Sequence, residues 1–152
     1  MKKTIILALA FVFTMGGAFA QDWSETELQE MFMGYLEDNG FNDAFIDDDG
    51  DVQFTYNDHD YFIETNEDNN QFFRVVLWNF WPIESITESV QAAFACNEVN
   101  KERLVAKAYI TGDDEVWIAC EAFFDSPDQF KPVFDRMLEQ IELGIDTFVG
   151  AM

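Results

Sequence analysis

Positive charge is scarce in this sequence. Only 8 of its 152 residues are Lys or Arg, against 30 Asp and Glu, and the formal net charge is −22. A surface of this sign repels the phosphates of nucleic acids and anionic lipid head groups. We therefore expect no nucleic-acid partner. The charge favours solubility, cationic protein partners or divalent ions.

Catalytic and redox motifs are also lacking. The chain has one His and two Cys, no C-x-x-C pair, no G-x-S-x-G, no H-E-x-x-H and no Gly-rich phosphate loop. His59 lies in the polar segment 57–60, where a solvated turn residue is expected. We expect no enzymatic activity, no catalytic residue and no cofactor. An enzyme of unrecognised type would need a cleft that holds His59 or a reactive thiol.

Long apolar runs are absent apart from one near the N-terminus. Lys2 and Lys3 precede the apolar run 5–13, and the small residues Ala18 and Ala20 follow it. This is the pattern of a secretory signal peptide, and the run is too short for a permanent membrane anchor. The sequence predicts a signal peptide over 1–20, cleaved between Ala20 and Gln21. A single domain over 21–152 would then reach the periplasm or the medium of a Gram-negative bacterium, without stable membrane insertion.

The two cysteines, Cys96 and Cys120, both follow the predicted cleavage point. Export places them in an oxidising compartment, where cysteines can pair. We expect a disulfide between them, the alternative being two buried thiols on unrelated faces.

Aromatic residues, in contrast, are abundant: 17 Phe, 4 Trp and 4 Tyr. Their periodic placement predicts a packed core in spite of the acidity. Periodicity and turn signals predict the order α-β-β-β-α-β-β-α, with an extra short strand within 41–46 as an option. Strands joined by hairpins indicate a mainly antiparallel sheet with helices packed on it, an α+β fold.

Several local signals support this order. Ser24 and Glu27 form a capping box for the first helix, and Asn39-Gly40 ends it. The last helix follows Ser126-Pro127, with a start delayed or kinked by Pro132. The middle helix, over about 84–97, is expected to bury one stripe with Cys96 on its flank; the stripe comprises Ile86, Val90, Ala93 and Phe94.

The acidic segment 47–51 suggests calcium but fits the motif poorly. With Gly50 at loop position six, Asp47 and Asp49 occupy positions three and five, while Phe45 and Tyr56 stand where ligands are required. We predict a tight hairpin turn and no metal site. Asp47, Asp49 and Asp51 remain weak candidates for low-affinity divalent binding.

The long apolar strand over 71–81 carries apolar residues on both faces. Alternation predicts one face with Phe72, Arg74, Val76, Trp78 and Phe80. The first and last helices can cover one side of the sheet, whereas the middle helix, a second subunit or a client protein would have to cover the other. We name as candidate binding residues Phe72, Arg74, Trp78, Phe80 and Trp117.

The element order, the segment over 47–61 with its acidic Gly turn, and the aromatic strand over 72–78 resemble the YbjN-type domain. The resemblance covers about 24–149 and implies the fold of type III secretion chaperones, which are small, acidic, often dimeric and bind extended client segments. Those chaperones act in the cytoplasm, whereas this sequence has an export signal. The family supplies no catalytic residues to transfer.

These observations lead to two functional hypotheses. The first is an exported, non-enzymatic binding or regulatory module that contacts a protein partner, or a second copy of itself, through the aromatic sheet face. The second is an acidic structural or cation-buffering envelope protein.

Overall fold

The first helix and its boundaries follow the sequence signals. A computed structural model describes residues 23–152, so the predicted signal peptide and its cleavage point lie outside the described residues. Helix α1 spans Glu25–Asp38, and both hydrogen bonds of the Ser24/Glu27 capping box are present. Gly40 then takes the left-handed backbone, with φ of 90°, that ends a helix.

Four strands follow in antiparallel succession. They are β1 (Phe45–Ile46), β2 (Val52–Tyr56), β3 (His59–Ile63) and β4 (Phe72–Pro82). Asn57 and Asp58 form a two-residue turn between β2 and β3, both with positive φ, which is the geometry of a tight hairpin. His59 therefore begins strand β3, where it is partly buried, and does not lie in a solvated turn as predicted. Its ring meets Phe80 edge-on.

The second half of the chain contributes helix α2 (Ile86–Glu102), strands β5 (Ala106–Ile110) and β6 (Glu115–Phe123), and helix α3 (Phe134–Ala151). A short 3-10 helix over Pro127–Val133 contains Pro132 and precedes α3. This confirms the delayed start, because a proline in the helix interior removes a backbone donor and crowds the preceding turn.

The sheet has six strands in the order β1-β2-β3-β4-β6-β5, and every pairing is antiparallel. The predicted α+β fold and element order are thus confirmed. Strand β4 lies in the interior of the sheet, between β3 and β6. It is the longest strand and carries the most apolar sequence, as expected for a strand flanked on both edges.

All three α-helices of residues 23–152 pack on the same face of the sheet. Phe32 of α1, Val99 of α2 and Phe148 of α3 belong to one buried core with Val75 and Ile118 of the central strands. Phe130 lies at its centre, with ring centroids 4.6 Å from Phe73 and 5.4 Å from Phe32. The middle helix therefore does not cover the second face.

Helix α2 is rotated relative to the prediction. Its buried residues are Ala92, Ala95, Cys96 and Val99, whereas Ile86, Val90, Ala93 and Phe94 face outward. The predicted stripe shares one side of the helix, but that side is the solvent side. Small residues meet the core because α2 lies close to α3: a Cβ on Gly144 of α3 would come within 3.5 Å of Val99.

Candidate functional site

The uncovered face of the sheet is the candidate site, and we call it the open face. Alternation along β3, β4, β5 and β6 assigns its side chains. They are Asp60, Phe62, Glu64, Phe72, Arg74, Val76, Trp78, Lys107, Tyr109, Trp117, Ala119, Glu121 and Phe123.

Aromatic rings cover the centre of the open face. Val76 and Ala119 are fully buried there, and Phe62 nearly so, although no helix of the described residues lies above them. They form a small second cluster with Trp78, Tyr109 and Trp117. The Trp117 ring meets Phe62 edge-on, with centroids 5.7 Å apart. Large aromatic side chains presented in this way are typical of binding surfaces.

A charged row crosses the open face beside these rings. Arg74 lies 2.7 Å from Glu64 and 3.3 Å from Glu121, and it also hydrogen-bonds the Tyr109 hydroxyl. Lys107 pairs with Glu121 at 2.7 Å. Burial alone would lower the pKa of Arg74, but the hydrogen bond to Glu64 and the surrounding charges raise it. The guanidinium therefore stays charged. It pairs with one carboxylate on each side of strand β4, Glu64 next to β3 and Glu121 in β6.

The open face ends in an aromatic pair, of which Phe72 is partly buried and Phe123 is exposed. Phe72 and Phe123 face each other across β4 and β6, with centroids 5.2 Å apart. Phe123 is 75% exposed. At the other end, the indole Nε1 of Trp78 is enclosed and has no acceptor within the described residues. An enclosed donor without a partner is energetically unfavourable.

Four of the five predicted binding residues lie on the open face: Phe72, Arg74, Trp78 and Trp117. The placement of Phe80 was wrong, because Asn79 has a positive φ of 51° and the β4–β6 register shifts between Leu77 and Trp81. This irregularity turns Phe80 to the helix side, where its ring lies 5.4 Å from Phe148. Alternation along β3, β5 and β6 would have found Phe62, Tyr109 and Glu121, which the prediction omitted.

The acidic turn is organised by its own backbone. One carboxylate oxygen of Asp47 accepts from the N–H groups of Asp49 at 2.9 Å and Asp51 at 3.0 Å. Asp51 accepts from the Thr65 N–H at 2.8 Å. Burial, together with repulsion from Asp47, Glu64 and Asp49, raises the pKa of Asp51 to about 6. Within residues 23–152, no group of three or more His, Cys, Asp or Glu is placed to hold a metal ion.

The predicted disulfide is wrong. Cys96 and Cys120 are both buried as free thiols. The Cys120 thiol points to helix α3, where it lies 3.4 Å from the Met137 carbonyl oxygen, whereas Cys96 sits on α2. Burial raises the pKa of Cys96 to about 11 and that of Cys120 to about 12. Thiols with such pKa values are poor nucleophiles at neutral pH.

An apolar groove of about 410 Å³ lies between the start of α3 and the ends of β5 and β6. Leu104, Val105 and Met137 contribute to its wall, with Glu121 and Arg136 among its charged lining residues. No His, Cys, Ser or Thr of the described chain lines it. The groove therefore presents no nucleophile or general base of the usual kinds other than carboxylates.

No helix within residues 23–152 has the length and apolar character needed to cross a membrane.

Comparison with known proteins gives one match. The YbjN family model, described as "Putative bacterial sensory transduction regulator", matches residues 29–151. The chain belongs to the YbjN family. The match includes all six strands, helices α2 and α3, and most of α1. No curated protein and no solved structure matches the chain, so the likeness to type III secretion chaperones stays a prediction.

Proposed function

We propose that this YbjN protein is a non-enzymatic regulatory module that is exported and binds a protein partner through the open face. The observation that carries the proposal is the one-sided packing of the sheet. Three helices cover one face, while the other keeps Trp78, Trp117 and Phe123 at its surface. The family's description as a regulator supports a binding role.

The partner we propose is a cationic protein surface. On the open face three carboxylates, Asp60, Glu64 and Glu121, stand against two cations, Arg74 and Lys107, so the face itself is close to neutral. Nearly all of the chain's net negative charge lies outside the open face. A partner with an apolar centre and a basic rim would bury the aromatic side chains and meet carboxylates around them.

Affinity capture with paired variants tests this role. The wild-type protein serves as bait in an envelope extract from the producing cells, in parallel with Trp117→Ser and with Gln129→Ser, an exposed residue of the 3-10 helix. We expect a protein that binds wild type and Gln129→Ser but is lost with Trp117→Ser. Purified, that protein should bind more weakly as salt rises, because screening weakens charge attraction. Equal capture by all three baits would refute the open face as the docking site.

Export is tested separately on the protein itself. The intact mass of the protein from the periplasmic fraction should equal that of a chain beginning at Gln21. A full-length chain that remains in the cytoplasm would contradict export and leave the docking proposal to be decided by the capture experiment.

A further inference from the structure

The apolar groove beside the start of α3 is a feature that the docking role of the open face does not use. Its volume is about 410 Å³, within the range of about 300–1,000 Å³ that is usual for small-molecule sites. Its apolar lining residues are Leu104, Val105, Ala122, Phe124, Val133 and Met137. A ligand with an apolar body would therefore contact apolar side chains from the loop before β5, from the end of β6 and from the start of α3.

Two apolar residues of the groove are exposed to solvent. Leu104 is 96% exposed and Val105 50%, and both lie in the loop between α2 and β5. Neither belongs to the buried core of the described residues. Single exposed apolar residues are common on protein surfaces, but these two are adjacent and border a groove to which the buried Met137 also contributes. An apolar chain lying in the groove would cover them, and this burial would favour binding.

Arg136 supplies the positive charge of the groove. It takes part in no ion pair within residues 23–152. Glu121 also lines the groove, but its carboxylate is already paired with Lys107 at 2.7 Å and with Arg74 at 3.3 Å. Glu139 is the remaining charged lining residue, and it is exposed to solvent. The Arg136 guanidinium is therefore available to an acidic group of a ligand.

Gln140 lies one helical turn after Arg136, on the same side of α3, and lines the groove with it. A guanidinium and an amide one turn apart offer several N–H donors to a carboxylate, which accepts paired hydrogen bonds from arginine. We propose that the groove binds a monocarboxylate with an unbranched apolar chain, the chemistry of a medium-chain fatty acid anion. Its carboxylate would lie at Arg136 and its chain along Val105 and Met137.

The charge of the whole chain makes this preference specific. A net charge of −22 attracts cations and repels anions. An amphiphile held only by apolar contact and by this general field would therefore bind best when its head group is positive. A preference for a negative head group requires a local cation that outweighs the field, and Arg136 is the cation that lines the groove.

Titration of the purified protein with octanoate, octanol and octyltrimethylammonium tests the ligand class. The three probes have chains of equal length and differ in the charge of the head group. NMR shifts of the Leu104 and Val105 methyl groups report binding at the groove. We expect octanoate to bind roughly ten-fold more tightly than octanol, since it gains charge-assisted hydrogen bonds, and octyltrimethylammonium to bind most weakly. From hexanoate to decanoate, the affinity should rise roughly two- to four-fold with each added methylene.

Paired variants assign the site. Arg136→Gln should remove the preference for octanoate over octanol. Lys131→Gln is the matched control and should keep it, because Lys131 is also an exposed cation without an ion pair in the described residues but does not line the groove. Val105→Asp should weaken octanoate binding roughly ten-fold or more, because it places a carboxylate against the apolar chain. Its control is Val149→Asp, at a valine of α3 that is 51% exposed and outside the groove, which should bind as wild type does.

The outcome is independent of the docking role of the open face. Trp117→Ser should bind octanoate as wild type does, because Trp117 does not line the groove, and circular dichroism should show every variant folded. The proposal would be overturned if no carboxylate shifted the methyl signals, or if octanol or octyltrimethylammonium bound more tightly than octanoate. Tighter binding of the peptide acid acetyl-leucyl-leucine, or equal octanoate affinity of Arg136→Gln and Lys131→Gln, would overturn it as well.

Discussion

The two faces of the sheet come from the same strands but are stabilised in different ways. On the helix side, Val75 and Ile118 are sealed beneath three helices and the phenylalanines around Phe130. On the open face, Val76 and Ala119 are equally buried, but only single side chains cover them. A helix-covered face contributes mainly to stability. A face covered by movable side chains can exchange that cover for a partner.

The strongest test of this contrast compares two phenylalanines. Phe130→Ala should lower the free energy of unfolding by about 3–5 kcal/mol, because it empties the centre of the helix-side core. Phe123→Ala should lower it by less than about 1 kcal/mol, because the ring is mostly exposed. Chemical denaturation of the two variants measures both values. Similar losses of unfolding free energy in the two variants would contradict the contrast between a helix-covered face that stabilises the fold and an open face that does not.

The charged row of the open face should have a smaller effect. Arg74→Ala should destabilise by about 1–2 kcal/mol, since Glu64 loses its ion-pair partner and Glu121 keeps only Lys107. The matched control is Lys107→Ala, which removes a more exposed cation from the same Glu121 and should change the stability by less than about 0.5 kcal/mol. Urea denaturation at low and high salt separates them, and the Arg74→Ala loss should shrink as salt rises.

Asp51 provides a contrast with Glu64, because it takes part in no ion pair of the described residues. Its pKa is raised to about 6 in the folded protein, so its contribution to stability is lost as pH rises toward that value. Asp51→Asn should therefore stabilise the protein at pH 7 by about 1 kcal/mol, after allowance for its partial exposure.

The difference between wild type and Asp51→Asn should vanish below about pH 3, where the unfolded carboxyl is also protonated. Thermal unfolding across this pH range is the measurement. A variant that is less stable than wild type at pH 7 would show that the bond to Thr65 outweighs the burial of the charge.

The smallest effect concerns the thiols beneath the helices. Native protein should react only slowly with a disulfide reagent such as dithionitrobenzoate, because both Cys96 and Cys120 are buried with raised pKa values. Denatured but unreduced protein should show two reactive thiols per chain. A count below two would restore the disulfide that the structure argues against.

Local features of the fold could be predicted from the sequence because neighbouring residues determine them. The Ser24/Glu27 capping box, the Asn39-Gly40 helix end and the delayed start after Pro132 depend on a few adjacent residues.

Features that depend on distant packing could not be predicted. Helix α2 has two apolar sides, and spacing tells which residues share a side but not which side meets the core. Phe80 was misplaced because alternation fails where Asn79 takes a left-handed backbone. The disulfide between Cys96 and Cys120 was predicted only from the oxidising compartment that export implies and from the presence of two cysteines. Neither observation specifies where the two side chains point.

Residue-resolved hydroxyl-radical footprinting with and without the captured partner tests the central claim that the open face is the docking surface. We predict that Phe123 is oxidised readily in the protein alone and becomes protected when the partner is added, while Phe94, exposed on the outer side of α2, keeps its reactivity. Protection of Phe94 by the partner, while Phe123 stays reactive, would contradict the account and assign docking to the helix side.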